Sequence, residues 1–221
     1  MRNIGENSVI ISFSGIDSAG KTTQIDMLME YCKKNNIDAK RLWGKARGTP
    51  GVEFLKSIVR RDKKMEHQEK MEYRKAFFQN TKKKRLLLII SLLDLIWYFG
   101  IYYRIESLFH RITILDRYVW DTFVEVKTEF TGIDFEKWLL WKIVVIISPK
   151  PKHSFLFVIP AEESLRRDVQ KGDLDADHVE LKREKIDLYL SLKDAGKWMH
   201  VMDGMQSREE LNESVLSILK V

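Results

Sequence analysis

Val9-Ile10-Ile11-Ser12-Phe13-Ser14-Gly15-Ile16-Asp17-Ser18-Ala19-Gly20-Lys21-Thr22 decides the fold. An apolar run of strand length ends in G-x-x-x-x-G-K-[ST], and apolar residues at helical spacing follow (Ile25, Leu28, Met29, Cys32). Strand, glycine turn and helix in that order form a phosphate-binding loop. The glycines let the backbone fold tightly, and successive N–H groups then face inward at a helix N-terminus. Lys21 supplies a cation for the β- and γ-phosphates of a nucleoside triphosphate, and the Thr22 hydroxyl can ligate Mg²⁺. A glycine turn that binds nothing would need neither Lys21 nor Thr22.

Working outward, apolar runs recur at residues 40–43, 112–115, 155–159 and 199–202, with helical patterns between them. Alternation of this kind predicts an α/β fold. About five parallel strands form the sheet, joined by right-handed crossovers and covered by helices on both faces. No repeat or Gly/Ser linker divides the chain, so residues 1–221 read as one domain. Residues 209–220 predict an amphipathic closing helix through Leu211, Val215, Ile218 and Leu219.

The 221 residues are enough for a substantial core. The charge of +6 (38 basic against 32 acidic) suits anionic ligands without arguing for nucleic acid. The one cysteine, Cys32, rules out an internal disulfide framework and suits a reducing compartment. Residues 1–8 carry no apolar stretch of signal-peptide length, so a cytoplasmic protein is expected. The five histidines are scattered, which predicts no structural metal.

Residues 86–103 are almost wholly apolar, with Asp94 their only charge, and they follow Lys82-Lys83-Lys84-Arg85. That length approaches a membrane span. Asp94 near its middle, and strands on either side that belong to one sheet, favour a helix buried in the core or in a dimer interface. Residues 138–147 form a second apolar helix suited to be its partner. Peripheral membrane contact through the two is the alternative. The basic run reads as a solvated helix start in preference to a nucleic-acid patch or targeting signal.

A second motif stands at the end of the 112–115 strand, Asp116-Arg117-Tyr118. A carboxylate at the C-terminal edge of a strand beside the phosphate-loop strand is placed to organise Mg²⁺, and the neighbouring Arg to clamp phosphoryl oxygens.

With both motifs in hand, the chain resembles the thymidylate kinase family of nucleoside monophosphate kinases nearly end to end. Phe13 through Thr22, with Thr23-Gln24, resembles that family's phosphate loop. Asp116-Arg117-Tyr118 resembles its Asp-Arg-Tyr/His signature, and Gly48-Thr49-Pro50 with Glu53 the tail of its Glu-Pro-Gly-Gly-Thr-Pro loop. Residues 155–175 resemble the run from the fourth strand into a mobile lid (about 164–180), and Val201-Met202-Asp203-Gly204 the closing strand.

The resemblance implies ATP and Mg²⁺ as cosubstrate and metal, a nucleoside monophosphate as acceptor, and a homodimer. It implies donor-phosphate contacts from Gly15, Asp17, Ser18, Ala19, Gly20, Lys21, Thr22 and Thr23. Thr22 and Asp116 would serve the metal. Arg117 would bridge donor and acceptor phosphates, Asp17 would meet the acceptor sugar, and Tyr118 would lie on the acceptor side. Because position 18 is Ser, the phosphate loop has no Arg of its own. The resemblance then assigns the catalytic cation to the lid, as Arg166, Arg167 or Lys171.

The departures lie on the acceptor side. Lys45-Ala46-Arg47-Gly48 replaces Glu-Pro-Gly-Gly, and Lys56 replaces an Arg that contacts the acceptor phosphate. Asp94 or Leu95 stands where the family has a helix Arg, and Trp120 to Glu125 replaces residues that read base and sugar. Arg47 and Lys56 are the basic residues left to hold an acceptor phosphate. Three functions stay open: a thymidylate kinase, a kinase on this scaffold for another phosphorylated or membrane-associated metabolite, or a nucleotide-binding module without transfer activity.

Overall fold

The computed structural model describes residues 8–44, 81–173 and 177–220. Five parallel strands, β1 (Val9–Gly15), β2 (Ala39–Trp43), β3 (Ile112–Asp116), β4 (His153–Val158) and β5 (His200–Asp203), form one sheet in the order β2-β3-β1-β4-β5. These are the five runs expected from the sequence, each within a few residues. Parallel central strands are buried on both faces, so β3 is buried at all five positions and β1 over its last five.

The described helices, in chain order, are α1 (Lys21–Lys34), α2 (Thr81–Trp97), α3 (Tyr103–Phe109), α4 (Val119–Glu129), α5 (Leu139–Ile147), α6 (Ala161–Gln170), α7 (Val179–Asp194) and α8 (Arg208–Leu219). Asn35 ends α1, and Asn36 takes the left-handed conformation that asparagine tolerates, turning the chain into β2. Ser207 and Glu210 start α8 with a reciprocal capping box.

The chain divides into two compact units. The larger (residues 1–44, 103–128 and 149–221) contains the sheet. Its core joins Ile25, Leu28 and Cys32 of α1 to Ile11 and Phe13 of β1, Phe155 and Phe157 of β4, and Leu211 and Val215 of α8. Phe13 stacks on Phe155 and Phe157 at 5.3 and 5.8 Å between ring centres, within the favourable range for offset aromatic pairs.

The smaller unit (residues 45–102 and 129–148) contains α2, a π-helical turn at Tyr98–Tyr102, and α5. Its α2 and α5 pack together, the pairing expected of the two apolar helices. Although α2 is apolar nearly all round, only one stripe is buried: Leu88, Ser91, Leu92 and Leu95, continued by Phe99 in the π turn. Leu86, Leu93 and Trp97 are exposed. Burial within the chain is therefore one-sided: the expectation of a helix enclosed in the core holds for this stripe only. The run Thr81–Phe109 is long and apolar enough, by length and composition, to cross a membrane, and one-third of its apolar 18-residue window is buried within the protein.

Candidate active site

The phosphate loop follows β1 and opens α1. Gly15 has φ 132, a left-handed value that favours glycine, and a side chain there would strike the Phe157 carbonyl oxygen at 2.3 Å. Gly20 (φ 94) and Ser18 (φ 58) complete the turn. Among the described residues the amides of Ala19 and Gly20 meet no acceptor, which suits an anion at the mouth of the loop.

Lys21 is buried and donates to the Ile16 carbonyl. Burial, and then the charge of Arg117, push its amine down to about 7, against the opposing pull of Asp17, Asp121 and Asp116. A phosphate in the loop would supply the missing counter-charge. Thr22 and Thr23 are exposed, and the Thr22 hydroxyl bonds to none of the described residues.

Asp116 and Arg117 stand at the C-terminal edge of β3, beside β1. Both are buried. Arg117 has a left-handed backbone (φ 78), rare for a side-chain-bearing residue and typical of functional turns. Its guanidinium reaches the Gly15 carbonyl at 3.3 Å and forms an ion pair with Asp17. Burial opposes that charge, and Tyr189, Asp17, Asp121 and Glu125 outweigh it. Tyr118, one residue on, is buried, and burial pushes its phenol up to about 12.

Two residues outside the expected set organise this cluster. Asp121 is fully buried and accepts four hydrogen bonds: Ser14 Oγ at 2.6 Å, Gly15 N at 3.1 Å, Tyr118 N at 2.8 Å and Tyr189 Oη at 2.8 Å. It ties the phosphate loop, the Asp116-Arg117-Tyr118 turn and α7 together. Arg41 of β2 forms ion pairs with Asp116 and with Asp26 of α1. In the sequence Asp121 stands only among the residues 120–125 that depart from the family, and Arg41 only as a cation in a weak strand.

The base of the expected lid is α6, and it docks on the phosphate loop. Ser164 Oγ donates to the Asp17 carbonyl at 2.8 Å, and Asp168 accepts from the Ser18 hydroxyl. Arg167 reaches the Ser18 carbonyl at 3.3 Å and the Gly204 carbonyl at 3.0 Å, and Lys171 reaches Ser18 Oγ at 2.9 Å. Arg166 instead turns to Glu163, with two bonds of 2.7 Å. Of the three lid cations, Arg167 and Lys171 are brought to the loop and Arg166 is not. Arg47 and Lys56 lie outside the described residues, as do Gly48-Thr49-Pro50, Glu53 and part of the lid.

A five-stranded parallel sheet with a phosphate loop after its central strand, and an Asp-Arg pair on the neighbouring strand, defines a P-loop phosphotransferase. The sequence model of thymidylate kinase matches residues 13–215. The chain belongs to the thymidylate kinase family, whose members are kinases. It is 23% identical over 213 residues to a probable thymidylate kinase of Pyrococcus abyssi (strain GE5 / Orsay), covering 95% of each chain. It is 26% identical over 216 residues to a thymidylate kinase of Sulfurihydrogenibium sp. (strain YO3AOP1), covering 95% of this chain and 96% of that one. A thymidylate kinase of Mycoplasmopsis pulmonis (strain UAB CTIP) is 23% identical over 226 residues, covering 97% and 89%.

Proposed function

We propose that this protein transfers the γ-phosphoryl group of ATP to thymidylate, giving dTDP and ADP. The observation that carries the reading is the position of Arg117. Its guanidinium is held between the Gly15 carbonyl and Asp17, at the mouth of the phosphate loop, in the turn that follows the strand pairing with the loop's own.

The residues take these roles. The loop amides and Lys21 hold the donor phosphates. Arg117 neutralises charge on the transferring group and bridges to the acceptor, which Asp17 orients through its sugar. Arg167 and Lys171 bring lid charge to the same place, and α6 closing over Ser18 excludes water. Thr22 and Asp116 offer the hard oxygen donors that Mg²⁺ requires, and the metal offsets phosphate charge when bound. Arg47 and Lys56 hold the acceptor phosphate. We place the enzyme in the cytoplasm, as a homodimer acting as one kinase domain, and sedimentation at micromolar concentration tests the dimer.

One observation favours a second reading, a kinase for another phosphorylated acceptor. Glu125, which stands where the resemblance has a residue that reads base and sugar, lies 3.8 Å from Arg117 Nη1 and presents a hydrogen-bond-accepting carboxylate on that side. Asp121, Thr122 and Val124 are buried, so a base would meet only their less buried neighbours. Coupled ADP release with Mg·ATP against thymidylate, the other nucleoside monophosphates and sugar phosphates decides, with Lys21→Ala as the blank. Lys21-dependent turnover on thymidylate is expected. Turnover on a sugar phosphate alone would establish the second reading.

A further inference from the structure

Arg41 is shared between two carboxylates of unlike surroundings. Its Nη2 pairs with Asp116 Oδ2, and its Nη1 pairs with Asp26 Oδ1 at 2.9 Å. The Asp116 side chain is 6% exposed, and that of Asp26 is 62% exposed. Asp26 lies one helical turn beyond Thr22 on α1, on the same face. Arg41 pairs with Ile114 across β2 and β3, two positions before Asp116, so its long side chain runs toward the catalytic edge of the sheet. Thr22, Asp26, Asp116 and Arg41 thus converge on one place.

A nearly buried carboxylate without a cation is costly, and Arg41 meets that cost in the absence of metal. The same pairing makes Asp116 a poorer attractor of a dication, because its charge is already compensated. Arg41 already holds a second carboxylate, Asp26, on which it can stay when it leaves Asp116, and that one is in solvent.

We propose that Arg41 is a displaceable counter-ion of Asp116, retreating to Asp26 as Mg²⁺·nucleotide binds and so setting the metal concentration the enzyme requires. This makes Arg41 a positioning residue, acting through Asp116. The proposal rests on the reading of Asp116 as organiser of the metal's water shell, and the experiment separates the two.

Manganese binding to the full-length protein saturated with ADP, followed by electron paramagnetic resonance and by Mg²⁺ displacement, reads the metal midpoint without catalysis. Arg41→Gln removes the competing charge and is expected to lower the midpoint by roughly tenfold. Arg41→Lys keeps the charge and is expected to stay within about twofold of the parent. Asp26→Asn removes the retreat, fixes Arg41 on Asp116 and is expected to raise the midpoint by roughly threefold or more. Asp26 is exposed, so this variant serves even where substitution at Arg41 impairs folding.

An unchanged or raised midpoint in Arg41→Gln overturns the proposal, as does an unchanged or lowered one in Asp26→Asn. Asp116→Asn is expected to raise the midpoint. If it does so while both other variants fail, Asp116 keeps its metal role and Arg41 loses its own. If Asp116→Asn leaves the midpoint unmoved, the metal reading and the proposal fall together.

Discussion

The Asp121 carboxylate accepts the backbone N–H of Gly15 at 3.1 Å, joining the first glycine of the phosphate loop to a helix 106 residues later. Oδ1 takes Gly15 N and the Tyr189 hydroxyl, while Oδ2 takes Tyr118 N and the Ser14 hydroxyl. Each oxygen therefore faces one hydroxyl, which can rotate, and one backbone amide, which cannot.

That division makes Asp121→Asn a sharp test. Whichever way the new amide turns, its NH₂ faces a fixed N–H donor, and a buried donor is left without an acceptor. The expected loss is about 1–3 kcal/mol of stability, read from the urea midpoint. A fall in kcat/KM should accompany it, because both Gly15 and the Tyr118 turn are anchored there. A variant with wild-type stability would show that solvent or local rearrangement satisfies the orphan donor, and would remove Asp121 from its organising role.

Gly44 presents a second test. Its N–H donates to the Asp116 carbonyl at 2.9 Å, and a Cβ built on it would lie 2.6 Å from the Arg117 carbonyl oxygen and 3.2 Å from Tyr103 Oη. Arg117 is already in a left-handed conformation and has little freedom to yield. Gly44→Ala is expected to cost about 1–3 kcal/mol in stability. It should also lower kcat by roughly ten- to a hundredfold through displacement of Arg117. The ATP dissociation constant should move less than kcat, since Gly44 touches the phosphate loop only through Arg117. An equal loss in ATP binding would mean that the damage spreads beyond Arg117.

Much of this was legible in the sequence because it is local. The apolar run 9–13, the glycines and Lys21-Thr22 lie within 14 residues, and each strand is a short run bounded by helical periodicity. Lys171 and Arg167 were legible as lid cations through family resemblance alone. Arg41 and Asp121 were not legible, since their most distant partners, Asp116 and Ser14, lie 75 and 107 residues away. Asp121 follows Trp120 and precedes Thr122 in a first helical turn, where an acid ordinarily complements the helix dipole in solvent. Nothing in that context distinguishes a buried hub from a surface charge. The half-exposure of α2 was hidden for the opposite reason: an evenly apolar sequence carries no periodicity to say which face is covered.

Lys21 predicts a proton uptake. Its amine sits near 7 because burial and Arg117 disfavour the charge, and bound phosphates restore it. Nucleotide binding should draw in about half a proton at pH 7 and nearly one at pH 8, with little at pH 6. ATP affinity should weaken as pH rises above 7, by up to about tenfold per unit while Lys21 is the linked group. Stability runs the other way. Between about 7 and the ordinary value of 10.5, the unfolded chain holds a proton that the folded chain does not, so Lys21 favours folding increasingly as pH rises. Calorimetry in buffers of differing ionisation enthalpy measures the uptake, and Lys21→Met should abolish it. Uptake that survives in Lys21→Met would assign the proton to another group.

The buried pair Lys182–Asp168 lets stability and nucleotide binding be separated. Lys182 Nζ lies 2.6 Å from Asp168 Oδ2 and 2.9 Å from Ser164 Oγ, while Asp168 Oδ1 holds the Ser18 hydroxyl. Both charges are buried, at 2% and 4% side-chain exposure. Lys182→Met leaves Asp168 charged and uncompensated, and is expected to cost about 3–5 kcal/mol. Adding Asp168→Leu removes the second charge and should recover most of that loss, since an apolar pair can replace a buried ion pair at little net cost. Adding Asp168→Leu, however, takes the acceptor from the Ser18 hydroxyl and leaves Lys171 as its partner in the left-handed turn of the phosphate loop. The double variant should therefore regain its urea midpoint and show a raised KM for ATP, with kcat less affected. If it recovers its stability with a wild-type KM, the hydrogen bond from Ser18 to Asp168 plays no part in shaping the phosphate loop, and the pair serves only to fasten α6 to α7.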